Sequence, residues 1–166
     1  MSERTVVVDK LRLTYEGLFS VSELYKFIDE YFEDKGYDKR EKRNIENVRP
    51  EGKYIEIEIE PWKKVTDYAI NIIRIRMIFQ NIKEVEVEKD GQKMTLNQGK
   101  AHFVFDGYME TDYFHRWEGK SVFFVIRTIF DKYVYAPFTA GFAVGVKEDL
   151  LHLHSNIKAF LNLYRY

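Results

Sequence analysis

One short segment constrains this chain more than any other: Ile55, Ile57 and Ile59 alternate with Glu56, Glu58 and Glu60. Strand side chains point to opposite faces with a period of two, so Tyr54–Glu60 reads as a strand with one apolar and one acidic face. Such a strand does not fold alone; its isoleucine face requires neighbouring strands and a covering layer. Neighbours follow in the sequence. Asp67–Gln80 reads as a long β-branched strand with Ala69, Ile73, Ile75, Met77 and Phe79 on its odd face. Its even face mixes Tyr68, Ile70, Ile72 and Ile78 with Arg74 and Arg76. Val85 and Val87 begin or continue another strand, Asp90-Gly91 signals a tight hairpin, and Met94 and Leu96 lead to a turn near Asn97-Gln98-Gly99. Ala101, Phe103 and Phe105 alternate against His102, Val104 and Asp106. Tyr108–Gly119 reads as irregular, and Ser121–Tyr135 as a strand apolar on both faces.

Helical signals bracket this strand-rich middle. Ser20-Val21-Ser22-Glu23 fits a capping box, with Phe19 and Leu24 at the positions of a hydrophobic staple. Leu24, Phe27, Ile28, Tyr31 and Phe32 then form a helical stripe, and Gly36 stands where a C′ glycine ends a helix over Ser20–Lys35. Lys147–Tyr166 reads as a closing helix, with Leu150, Leu153, His154, Ile157, Phe160, Leu161 and Tyr164 on one stripe. Between it and the strands lies Ala136–Val146, uncharged and holding Phe138, Gly141, Phe142 and Gly145. The preferred reading of that stretch is a buried strand and turn; a lid over a cavity or a shallow membrane contact is the alternative. Thr5–Tyr15 is a strand whose apolar parity changes once, placing a bulge near Asp9-Lys10. Asn44–Val48 is a short strand, Arg49-Pro50-Glu51-Gly52 a turn and Pro61–Thr66 a loop. The expected fold is therefore α+β: a curved antiparallel sheet of six or seven strands gripping a long C-terminal helix, with a shorter helix after the first strand. No repeat or linker divides it, so residues 1–166 form one domain.

Composition removes whole classes of function. The 26 basic and 27 acidic residues nearly cancel, which leaves no electrostatic footprint for nucleic acid. Cysteine is absent, excluding disulfides, thiolate metal sites and thiol nucleophiles and favouring an intracellular, cytoplasmic setting. Met1–Lys10 has no apolar core of a signal peptide, and no uncharged stretch approaches the ~20 residues of a membrane span. Aromatic residues reach 16% and gather in Phe19–Tyr37, Phe103–Trp117 and Phe123–Phe142, without the interleaved basic pattern of a base-stacking platform.

Motifs specific to a reaction are missing. Gly119-Lys120-Ser121 has the end of a phosphate-binding loop but carries Phe114 where the first glycine belongs. His152 and His154 lie two apart on a helix, not the four that a zinc pair requires; His102 reads as outward on its strand, and His115 sits among Asp112, Tyr113, Arg116 and Trp117, a polar setting without ligand spacing. No G-x-S-x-G elbow occurs. Glu56, Glu58 and Glu60 are acid/base or cation-ligand material by type, but cross-strand pairing with Arg74 and Arg76 is the favoured reading. The basic run Lys39, Arg40, Lys42 and Arg43 reads as a solvated loop diluted by Asp34, Asp38 and Glu41. No cofactor, metal or catalytic residue is expected; polar groups around Asp112, His115 and Glu118 are what an enzyme would use.

This order of elements, from the Thr5–Tyr15 strand and the capped helix through the strands of 54–135 to the terminal helix, resembles the helix-grip fold of START-like proteins. That superfamily includes plant pollen allergens and polyketide cyclases. The resemblance covers nearly the whole chain but lies in element order alone; Arg49-Pro50-Glu51-Gly52 is not the Gly-rich loop of the pollen allergens. It implies a cavity between the sheet and the terminal helix, where many members hold lipids, isoprenoids or polyketides. The expectation is a non-catalytic binding domain for an apolar small molecule. Ile73, Ile75, Phe103, Phe105, Phe124, Ile157 and Phe160 would line the cavity, with His154 and tyrosine hydroxyls orienting a polar end. The same residues are plain core if the space is filled. The alternative is a protein-interaction or homo-oligomerising domain, using the second sheet face at Ile70, Ile72, Ile78, Phe123, Val125 and Ile129.

Overall fold

The alternating isoleucine–glutamate segment becomes a strand within an antiparallel sheet. A computed structural model of the chain describes residues 3–111 and 136–164. The readings at Asp112, Phe114, His115 and Glu118, the Ser121–Tyr135 strand, and the site residue Phe124 lie outside them. In chain order the described elements are β1 (Glu3–Phe19), α1 (Val21–Asp34), β2 (Glu41–Arg49), β3 (Gly52–Ile59), β4 (Trp62–Lys64), β5 (Ala69–Lys89), β6 (Gln92–Thr111) and α2 (Ala136–Asn162). The sheet runs β1-β6-β5-β3-β2, with β4 paired to β5, and every described pairing is antiparallel. The fold is α+β: a curved, unclosed six-stranded sheet, a short helix after the first strand, and a C-terminal helix packed on one face.

Curvature enters at breaks in register. β1 slips against β6 between Val6 and Leu11, where Lys10 takes φ +49°, as the parity change at Asp9-Lys10 predicts. The freed Lys10 N–H donates to Asp106 Oδ1 at 2.9 Å, and the other carboxylate oxygen accepts from Arg74 Nη2 at 2.9 Å. One buried aspartate thus holds the bulge and anchors an arginine. A second break falls at Asn81, φ +55°, between the pairs at Gln80 and Lys83. It shifts the parity of β5 without ending it. Asp67–Gln80 and Val85–Val87 are therefore one strand, which returns through Asp90-Gly91 with φ +51° and +76°.

Several boundaries differ from the sequence reading. Asn97-Gln98-Gly99 is not a turn but mid-strand in β6. A Cβ on Gly99 would lie 2.8 Å from the Gln80 carbonyl oxygen, so the glycine accommodates the β5 bulge beside it. Asn97 caps the helix opposite, its Oδ1 accepting from Val21 N–H at 3.0 Å. Tyr108–Thr111 continue β6 rather than being irregular, and the Pro61–Thr66 loop contains β4. Ala136–Val146 is neither strand nor turn: it is the first part of α2, which starts well before Lys147. The first charged residue was a false boundary, because the stripe Val146, Leu150, Leu153, Ile157 and Leu161 extends one turn upstream and all five are buried.

α1 forms as its signals require. Ser20 Oγ accepts from Glu23 N–H at 3.3 Å, and Phe19 and Leu24 are both fully buried. The reciprocal half of the capping box is replaced: Glu23 Oε2 accepts from Tyr164 Oη of the C-terminal segment at 2.6 Å. Tyr37 N–H returns to Phe32 O at 2.8 Å around Gly36, whose φ is +77°. All nine residues of edge strand β2 are exposed, and Glu41, Lys42, Arg43, Glu46 and Arg49 give it the charges that deter edge-to-edge pairing.

The seat of α2 on the sheet depends on Gly107. A Cβ there would stand 2.9 Å from Val146 Cγ1 and 3.3 Å from Leu150 Cδ1. Gly107→Ala is expected to cost about 1–3 kcal/mol by overpacking. Gly141→Ala, where a Cβ meets nothing within 4 Å, should instead stabilise by up to about 1 kcal/mol. Urea denaturation of both variants checks this pair of opposite signs.

Candidate functional site

The sheet face beneath α2 gathers five of the expected cavity residues. Ile73 and Ile75 of β5, Phe103 and Phe105 of β6 and Ile157 of α2 are buried in one apolar cluster. Phe103 and Phe105 stack with centroids 6.1 Å apart, and the His154 ring stands edge-on to Phe105 at 5.5 Å. His154 Nε2 lies 3.3 Å from the Arg12 carbonyl oxygen, which can only accept, so this nitrogen carries the proton. Phe160 is half-buried and stacks at 5.0 Å on Phe27 of α1, placing it between the helices.

The tyrosine hydroxyls expected to orient a ligand are engaged elsewhere. Tyr15 Oη donates to Leu18 O at 2.7 Å and Tyr31 Oη to Asp149 O at 2.8 Å. Tyr37 Oη donates to Asp149 Oδ2 at 3.0 Å. Burial, reinforced by the Asp149 carboxylate, raises the Tyr37 hydroxyl well above the ordinary tyrosine range. A raised folded value means that stability is complete below the unfolded pKa near 10 and falls as pH rises beyond it. Unfolding free energy should therefore decline above pH 10, by up to about 1.4 kcal/mol per pH unit from Tyr37. Tyr37→Phe should flatten that decline in chemical melts between pH 9 and 11.

A polar residue absent from the sequence reading lies in this same layer. Asn71 occupies the odd, core-facing register of β5 between Ala69 and Ile73 and is 5% exposed. Its Nδ2 donates to the Phe142 carbonyl oxygen of α2 at 3.4 Å. Its Oδ1 is buried without any hydrogen-bond partner, the one such side-chain atom among the described residues. Directly across the strand pair stands Met109, also buried. An unmatched buried acceptor costs about 1–3 kcal/mol, and native interiors pair nearly all such groups. In the sequence Asn71 shows only as an amide that interrupts an otherwise apolar alternation from Ala69 to Phe79.

Opposite α2, the acidic strand face is neutralised. Glu56 accepts from Arg43 at 2.9 Å, which holds its carboxyl below the usual range. Glu58 pairs with Arg76 at 3.6 Å, as expected, whereas Arg74 goes to Asp106. Glu60 joins Arg4 and Lys42, each at 3.2 Å. No group of three His, Asp or Glu able to hold a metal ion occurs among the described residues. Ile70, Ile72 and Tyr108 are buried here with Trp62 packed against them, and Ile70, Ile72 and Trp62 line a hollow. Ile78 is half-buried, and Phe123, Val125 and Ile129 of the expected apolar second face lie outside the described residues.

Compared with models of known protein families, with curated proteins and with solved structures, the chain matches none. No described helix is long and apolar enough to cross a membrane.

Proposed function

We propose that the chain is a START-like binding domain that holds an apolar small molecule bearing a hydrogen-bond donor between the sheet and α2. The observation that carries this reading is the unmatched Asn71 Oδ1. It is buried on the same sheet face as Ile73 and Ile75 and close to the Phe142 turn of α2. Ligand sites of this kind are mostly apolar, with a few placed polar groups that set orientation. A hydroxyl or N–H arriving at Asn71 would satisfy the acceptor, and the surrounding aliphatic and aromatic side chains would enclose the rest. The assigned chemistry is binding rather than turnover; the hydroxyls of Tyr15, Tyr31 and Tyr37 are hydrogen-bonded within the protein, and Glu56 and Glu60 sit in ion pairs.

Native mass spectrometry of the purified chain tests the reading. The expected spectrum contains a fraction of protein carrying one non-covalent small molecule, released on denaturation and extractable into organic solvent. Bare protein alone, with no rise in melting temperature across a panel of long-chain alcohols, phenols and amides, would overturn it.

A further inference from the structure

The sheet face turned away from α2 carries a second concavity. A hollow of about 420 Å³ is lined by Arg4, Arg40, Glu60, Trp62, Lys64, Ile70, Ile72 and Glu110, within the range of about 300–1,000 Å³ typical of ligand pockets. Its floor is apolar: Ile70 and Ile72 are nine-tenths or more buried, with Trp62 packed against them. Its walls are charged, and the charges pair in a definite way. Arg4 bridges Glu60 at 3.2 Å and Glu110 at 3.1 Å. Lys42 completes Glu60 at 3.2 Å, and Lys64 is held by Asp67 at 2.6 Å. Arg40 is left over. Its carbonyl oxygen is pinned by Glu60 N–H at 2.7 Å, but its guanidinium has no side-chain partner among the described residues. Among the described residues the wall therefore has one positive charge in excess above an apolar floor.

We infer that this outer hollow is a second binding site, for a small amphipathic monoanion of the medium-chain carboxylate type. The alkyl part would lie on Ile70, Ile72 and Trp62, and the carboxylate would meet Arg40, whose planar fork suits bidentate pairing. A longer anion would gain no second charge contact, because Arg4 and Lys64 are already neutralised. A cation would be opposed by the excess charge.

The test is an NMR titration of the whole chain with decanoate below its micelle concentration and, in parallel, with decanol. Decanoate is expected to shift the Trp62 indole and the Ile70 and Ile72 amides saturably. Arg40→Gln should weaken this response at least tenfold, decanol should move the same hollow resonances at least tenfold more weakly whatever it does at Asn71, and Asn71→Leu should leave decanoate affinity at the hollow within twofold. Unmoved resonances at the hollow, or an equal response there in Arg40→Gln or with decanol, would overturn the inference. Loss of decanoate binding in Asn71→Leu would also overturn it, by moving the ligand to the other face. Because the two sites stand on opposite faces of β5, failure here leaves the Asn71 reading intact, and the reverse also holds.

Discussion

Replacing Phe105 with alanine is expected to lower the unfolding free energy by about 3–5 kcal/mol. The ring is fully buried and stands where three elements meet. Across the sheet it faces Leu11 of β1 and Ile75 of β5, it stacks on Phe103, and His154 of α2 stands on its edge. Truncation removes the transfer free energy of the ring and leaves a cavity that the stiff sheet cannot collapse to fill. A loss of that size is a large part of the 5–15 kcal/mol by which domains are ordinarily stable. Urea melts should show a lower midpoint with an unchanged slope, and the α2 amides should lose protection from hydrogen exchange before those of β5 and β6. Phe160→Ala should cost less, because that ring is half-buried between the helices.

Asn71→Leu is expected to move stability and binding in opposite directions. Leucine keeps the γ-branched shape of asparagine, although its methyl groups take more room, and removes a buried acceptor that nothing satisfies. The ligand-free protein should gain up to about 1–3 kcal/mol, the penalty attached to such an atom, less the overpacking cost of the bulkier side chain and whatever the long 3.4 Å bond to Phe142 O contributes. Ligand-dependent stabilisation should vanish, because the oxygen that receives the donor is gone. An asparagine retained for packing alone would show no such opposition. Thermal melts of ligand-free protein and ligand titrations on the same preparation separate the two effects.

The sheet and α1 were legible because their signals are local. Ser20, Phe19 and Leu24 announce the helix start, Ile55–Glu60 announces a strand, and the parity change at Asp9-Lys10 announces the bulge that Asp106 holds. The misread boundaries share a different cause: residues whose usual meaning is overridden by a partner far along the chain. Asn97 and Gly99 have turn chemistry, yet one caps α1 and the other makes room for the β5 bulge. Asn81 hid the continuity of β5 by reversing which side chains face inward. At Ala136–Val146 the lack of charge and the glycines concealed a helical stripe that only its contact with Gly107 makes evident. Burial of Ile73, Ile75, Phe103 and Phe105 followed from strand alternation and that of Ile157 from the helical stripe, and all five lie in one apolar cluster. Asn71 did not, because a polar residue in an apolar register becomes informative only once its partners can be counted.

The most direct measurement compares thermal unfolding of the wild type and Asn71→Leu, each with and without a saturating long-chain alcohol. A ligand that binds only the folded state stabilises it by about 2.7 kcal/mol at a hundred times its dissociation constant. The wild type should show a shift of that order, and Asn71→Leu, though more stable on its own, should show none. Equal shifts in both proteins would contradict the assignment of the Asn71 oxygen as the group that receives the ligand.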